Sequence, residues 1–287
     1  MIEDKIENNR LGSPLGGQGA ASQIPNLFTL LNLIFGCIAI VFILQTGENI
    51  VLLEDGGATQ VNLPEKIWWG SLFIFAAAIV DFLDGFLARM LKANSEMGKQ
   101  LDSLSDIVSF GVAPGLILYQ LLRISFAQEE NGLEVSMLAL LPAFIYTCAA
   151  AWRLAKFNIA DNQSYSFKGV PSPAAGLLIA SLPLIIWYQY FNIQGFFINR
   201  WFLYAVIFLL SYFMVSNRTF MAIKFTDFSF RNNLLKYILL SASLICLVSL
   251  KWLAVPVIFV LYLIISTLSK QPDAIISGKE VQNSNLL

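Results

Sequence analysis

Eight apolar segments follow one another along this chain, at about 26–46, 67–91, 101–123, 136–158, 171–191, 200–216, 234–250 and 252–268. Most reach the roughly 20 residues that an α-helix needs to cross a bilayer. In hydrocarbon the backbone N–H and C=O groups must be satisfied internally, which a helix achieves within one segment. The expected fold is therefore all-α, a polytopic membrane helix bundle of about eight transmembrane helices. Hydrophobic residues fill 57% of the 287 positions and charged residues only 13%, which excludes an ordinary soluble domain. The last two segments are short and separated only by Lys251, the pattern of a tight helical hairpin.

Basic residues orient the bundle. With both termini in the cytoplasm, Lys66, Arg123, Arg200 and Lys251 lie outside and the remaining fourteen of 18 lie inside, a decisive bias. Residues 1–24 read as a flexible cytoplasmic leader without the pattern of a signal peptide, and 269–287 as a polar cytoplasmic tail. The acidic stretches 48–65 and 129–134 read as solvated outer loops, and the basic stretch 217–233 as a lipid-facing inner loop. A net charge of −1 gives no footprint for nucleic acid. Cys37, Cys148 and Cys246 fall in three different segments and read as packing residues. The chain has no histidine, so Ser-His-Asp triads and HExxH zinc sites are excluded.

Against this apolar background the stretch from Asp81 to Asp106, DFLDGFLARMLKANSEMGKQLDSLSD, carries four aspartates. Asp81 and Asp84 are three positions apart, and Asp102 and Asp106 four, so each pair shares a helix face. The polar LKANSEMGKQ between them reads as a turn, and folding back there brings the pairs into opposition. Four like charges in a membrane bundle call for cations, and hard oxygen ligands favour Mg²⁺ or Mn²⁺, two ions balancing four carboxylates. Asp81 lies about ten residues before the inner end of its helix, roughly 15 Å, which sinks the site into the cytoplasmic leaflet.

The same stretch spells D-x-x-D-G-x-x-A-R, then after eight residues G-x-x-x-D-x-x-x-D. This resembles the signature of the CDP-alcohol phosphotransferases, integral membrane enzymes of phospholipid synthesis. All eight defining positions match: Asp81, Asp84, Gly85, Ala88, Arg89, Gly98, Asp102 and Asp106. The resemblance implies that Asp81, Asp84 and Asp102 are metal ligands, and that Asp106 shares a metal and acts as general base. It assigns CDP binding to Asp84, Gly85, Ala88, Arg89 and Gly98. The first segment opens P-N-x-x-T-x-x-N, a start that resembles many members of the family and adds Thr29 and Asn32 to the nucleotide site. Read by themselves, Thr29 and Asn32 also suit bonds to neighbouring helices, and Gly85 and Ala88 suit close helix packing. Arg89 suits a pyrophosphate through bidentate pairing.

Residues 151–176, AWRLAKFNIADNQSYSFKGVPSPAAG, gather Arg153, Lys156, Asn158, Lys168 and Ser172 near the inner face. By composition the basic residues suit an anionic-lipid anchor equally well. The pattern R-L-A-[RK]-F-N followed by F-x-G-[VL]-P-[ST]-P resembles the phosphatidylserine synthase branch of the family. That implies the five residues hold the phosphatidyl phosphate and an incoming serine. The implied reaction moves the phosphatidyl group of CDP-diacylglycerol to the hydroxyl of L-serine and releases CMP, with two divalent cations, in the cell (inner) membrane, facing the cytoplasm. The expected organisation is a catalytic core over 25–191, further transmembrane helices over 192–268, and a homodimer in the membrane lipid. Two rivals stay open: glycerol 3-phosphate or an inositol phosphate as the acceptor, and a cation transporter using its intramembrane acids.

Overall fold

A computed structural model describes residues 23–45, 49–54, 57–62, 66–91, 95–128, 135–159, 167–220 and 233–268. The leader, the tail, residues 129–134 and most of the basic stretch 217–233 lie outside the described residues.

The eight apolar segments fold as eight helices: α1 Ile24–Leu44, α2 Ile67–Met90, α3 Glu96–Ala127, α4 Ala143–Ile159, α5 Ser172–Tyr188, α6 Arg200–Val215, α7 Leu234–Leu250 and α8 Ala254–Leu268. α1, α2, α3 and the stretch Leu234–Thr267 are long and apolar enough to cross a membrane. That last stretch breaks at Lys251, which has φ 53° and ψ −125°. α7 and α8 pack on each other across this break, as the hairpin reading requires. Their 17 and 15 residues rise only about 26 and 23 Å, short of a hydrocarbon core of about 30 Å. The segment read as an outer loop at 48–65 is instead a two-stranded hairpin, β1 Asn49–Glu54 with β2 Gly57–Asn62. A shorter pair, β3 Phe167–Lys168 and β4 Thr219–Phe220, joins the segment before α5 to the segment after α6.

The bundle is apolar on both its inside and its outside. α1 packs against α2 and α3, α3 against α4 and α5, and α4 against α6, around Ile74, Phe110, Ile117, Leu121, Tyr146 and Ile179. Leu27, Ile34, Ile79, Leu244 and Val248 face outward, the last 78% exposed. Outward leucine, isoleucine and valine on every side of a helix suit lipid, not water. At the end away from the aspartates, Trp68, Trp69, Trp187, Tyr188, Tyr190 and Trp252 stack in pairs. The Lys251 ammonium sits 3.6 Å from the centre of the Tyr190 ring. Such aromatic belts mark a membrane–water boundary. The molecule is an integral membrane helix bundle.

Small residues set the helix spacing, as is usual where lipid provides no hydrophobic drive. A Cβ at Gly70 would stand 2.6 Å from Ile43 Cγ1, and one at Gly176 would stand 3.2 Å from Phe110 Cα and carbonyl oxygen.

One departure from regular helix positions the site. Residues Ile107–Val112 of α3 are wound as π-helix, beginning immediately after Asp106. Pro114 has no N–H to give to the carbonyl four residues back, Phe110. That carbonyl accepts instead from the Tyr146 hydroxyl at 2.8 Å, and the Gly111 carbonyl accepts from the Thr147 hydroxyl at 3.0 Å. Two hydroxyls of α4 thus fasten the widened turn.

Candidate metal centre and substrate site

α2 and α3 bring Asp81 of the first pair against Asp102 and Asp106 of the second. α3 starts on an N-cap: the Ser95 hydroxyl accepts from the Gly98 N–H at 2.9 Å, with Glu96 in the first turn. Two serines four apart then fasten α3 to α1. The Ser105 hydroxyl donates to the Thr29 carbonyl at 3.0 Å and the Ser109 hydroxyl to the Asn32 carbonyl at 3.1 Å. Between these two bonds, Asn32 Nδ2 donates to Asp106 Oδ1 at 3.4 Å.

Asp81, Asp102 and Asp106 each turn one carboxylate oxygen inward so that all three lie within 4.8 Å of one another. Asp81 and Asp106 are within hydrogen-bond reach of each other. Asp84 is outside this trio. It is more deeply buried, at 5% exposed, and faces Thr29.

The donor set fits a cation. Asp84 Oδ2 and Asn32 Oδ1 are buried oxygen atoms with no hydrogen-bond partner among the described residues. A buried acceptor without a donor is costly, and a cluster of acids with surplus acceptors is a site for positive charge. Hard carboxylate and amide oxygens match Mg²⁺ or Mn²⁺, and the trio can hold such an ion, with the free Asp84 oxygen beside it.

The residues expected to contact CDP divide by environment. The Thr29 hydroxyl is buried and donates to the Pro25 carbonyl at 3.1 Å. Gly85 faces open space, where a Cβ would meet nothing nearer than Arg89 Nη1 at 3.9 Å. A mid-helix glycine costs about 1 kcal/mol relative to alanine, and packing within the chain does not demand this one. Ala88 is half-buried and Arg89 exposed, one turn along from Gly85. Gly98 differs, since a Cβ there would come within 2.9 Å of Asn26 Oδ1 and 3.0 Å of Ser95 Oγ. Side-chain ends of Asn26 and of the N-cap Ser95 thus crowd this position.

On the α4 side, Arg153 is only 9% exposed and close enough to Asp106 to attract it. Its Nη1 donates to the Ser172 hydroxyl at 3.1 Å, at the start of α5, and its Nε has no partner among the described residues. A nine-tenths buried guanidinium with an unused N–H lies ready for an anion. Asn158 joins α4 to α3, its Nδ2 donating to Ser103 Oγ at 2.8 Å and its carbonyl accepting from Lys99 Nζ at 3.2 Å. Lys156 donates to Asn217 Oδ1. The side chain of Lys168 lies outside the described part, although its backbone pairs with Thr219 in the β3–β4 ladder.

Ser105, Ser109, Tyr146 and Asn217 are contributors that the sequence alone did not single out. Only Ser105 and Ser109 left a signal, their four-residue spacing beside Asp106.

A family profile for CDP-alcohol phosphatidyltransferases matches residues 22–223, which runs from α1 through β4. Curated relatives named CDP-diacylglycerol–serine O-phosphatidyltransferase are similar to the chain. One from Helicobacter pylori is 33% identical over 195 residues, 67% of this chain and 69% of the relative. One from Mycobacterium tuberculosis is 31% identical over 206 residues, 67% of this chain and 59% of the relative. One from Bacillus subtilis is 38% identical over 111 residues, 39% of this chain and 58% of the relative. The chain thus spans under two thirds of the length of the last two.

Proposed function

The chain belongs to the CDP-alcohol phosphatidyltransferase family, and we propose that it transfers the phosphatidyl group of CDP-diacylglycerol to the hydroxyl of L-serine, giving phosphatidylserine and CMP. The observation that carries this reading is the meeting of three aspartates within 4.8 Å beside a buried, incompletely bonded Arg153. Acids for cations and a cation for anions, side by side, suit a substrate that is a pyrophosphate. The names of the relatives support serine as the acceptor.

Asp81, Asp84, Asp102 and Asp106 would hold two divalent cations, Mg²⁺ or Mn²⁺, which supply Lewis-acid stabilisation of charge on the pyrophosphate. Asp106 takes the proton of the serine hydroxyl. Its burial and its place one turn from Asp102 put this base inside the acidic cluster, and a chain without histidine has a carboxylate as the natural choice. The serine oxygen then forms a bond to the phosphatidyl phosphorus as the bond from that phosphorus to the CMP oxygen breaks. CMP departs with the electron pair.

Gly85 and Ala88 leave room for the nucleotide against the α2 backbone, with Thr29 and Asn32 across from them on α1 and Arg89 for a phosphate oxygen. Arg153 receives the phosphatidyl phosphate or the serine carboxylate and keeps Ser172 fixed as its partner. Lys156, Lys168 and Asn158 border the same region. Basic residues concentrated at the aspartate end support placing the site at the cytoplasmic side of the cell membrane, within reach of lipid headgroups. A homodimer remains part of this reading.

CMP release by purified protein from CDP-diacylglycerol tests the proposal, with serine, glycerol 3-phosphate and inositol phosphate offered separately. Turnover with serine supports it, and turnover with another alcohol alone overturns the serine assignment.

A further inference from the structure

By sequence, the stretch beginning at residue 217 reads as a lipid-facing loop without chemistry. The structure ties its first residues to the acceptor side of the site. Phe167 pairs with Phe220 and Lys168 with Thr219. The Gly169 N–H donates to the Arg218 carbonyl at 2.9 Å, and the Val170 N–H donates to the Phe213 carbonyl at 3.1 Å. Gly169 has φ 77°, and a Cβ on it would stand 3.2 Å from both the Met214 carbonyl carbon and the Ser216 oxygen. Only glycine allows that turn and that approach. The end of α6 is thereby docked on the turn that leads into Ser172, the partner of Arg153.

On α4, Lys156 follows Arg153 by three residues, so the two share a face and lead outward from Asp106. Arg153 is buried and Lys156 exposed. The Lys156 ammonium donates to Asn217 Oδ1. An ammonium has three donors, and a neutral amide engages one of them without compensating its charge. A lysine side chain otherwise samples many rotamers, so an anchor of this kind fixes where the charge stands.

We propose that Asn217 is a positioning residue, holding the Lys156 ammonium at the exposed end of the row formed by Asp106, Arg153 and Lys156, where it receives an anionic oxygen group of a substrate. This rests on the reading of the site given above. The group is either the carboxylate of the acceptor or the pyrophosphate of the lipid donor, and kinetics separates the two.

The test is steady-state kinetics of the full-length protein in detergent or vesicles, for Asn217→Ala, Lys156→Met and the double variant, with thermal midpoints measured alongside. Asn217→Ala is expected to raise KM about threefold to tenfold for one substrate, less than the loss of a direct bond to a charged group because Asn217 acts only through Lys156, with kcat within about twofold. A rise for serine assigns Lys156 to the acceptor carboxylate, and a rise for CDP-diacylglycerol assigns it to the pyrophosphate. Added to Lys156→Met, the Asn217 change is expected to do nothing more, because the two act as one unit. An active wild type with unmoved KM values in Asn217→Ala, or an equal rise on the Lys156→Met background, overturns the role of Asn217 alone. A folded, metal-binding wild type that releases no CMP with any alcohol overturns the reading of the site, and the role of Asn217 with it.

Discussion

The Tyr146 hydroxyl donates to the Phe110 carbonyl at 2.8 Å, within the π-wound turn of α3. This bond crosses from α4 to the π-wound turn that follows Asp106, so it joins the packing of the core to the aim of the carboxylate proposed as the base. Tyr146→Phe removes this buried hydrogen bond. The expected loss of stability is about 1 kcal/mol, read as a lowered thermal midpoint. The expected loss of CMP release is in kcat more than in KM, because Asp106 is displaced while the binding residues stay.

Glycines in the bundle separate into two kinds. Gly85→Ala meets open space, with nothing closer than 3.9 Å, and gains helix propensity of about 1 kcal/mol. Thermal stability should hold or rise while the KM for CDP-diacylglycerol increases. Gly176→Ala meets the Phe110 backbone at 3.2 Å, so it should lower the midpoint first. If both glycines behave alike, space at Gly85 is not kept for a substrate.

Metal removal should abolish turnover reversibly. Chelator-treated protein is expected to regain CMP release on addition of Mn²⁺ or Mg²⁺ but not of K⁺. Asp102→Asn removes one of the three convergent carboxylates, and Mn²⁺ affinity measured by calorimetry or electron paramagnetic resonance should fall at least about tenfold. Unchanged affinity in that variant would remove the trio as the metal centre.

Arg153→Lys keeps the charge but not the fork geometry. The Ser172 hydroxyl loses its donor from Nη1, and the unused Nε disappears. The expected effect is a rise in KM of about tenfold to a hundredfold, the range for a hydrogen bond to a charged group. Initial rates against serine and against CDP-diacylglycerol will show which substrate Arg153 holds.

Much of the bundle was legible because hydropathy and length act locally: each apolar segment became a helix close to its expected bounds, except that α4 starts seven residues later than expected. The aspartate pairs were legible for the same reason, since spacings of three and four fix a helix face wherever the helix goes. The π turn was not, although Pro114 and Gly111 stood in plain view, because the compensating donors come from Tyr146 and Thr147 on another helix. Asn217 was hidden in the same way, 61 residues from the lysine it anchors. Spacing also could not tell Gly85, which faces open space, from Gly98, which is pressed on Asn26. The strand pair within 49–62 was missed because an acidic polar stretch suits a solvated loop as well as a short ladder.

The most direct test of the central claim is CMP release from CDP-diacylglycerol by purified protein with Mn²⁺ or Mg²⁺, each alcohol supplied alone and Asp106→Asn run beside the wild type. Turnover with serine only, and none in the variant, is the predicted result. A folded protein that binds metal but releases no CMP with serine, glycerol 3-phosphate or inositol phosphate would contradict it.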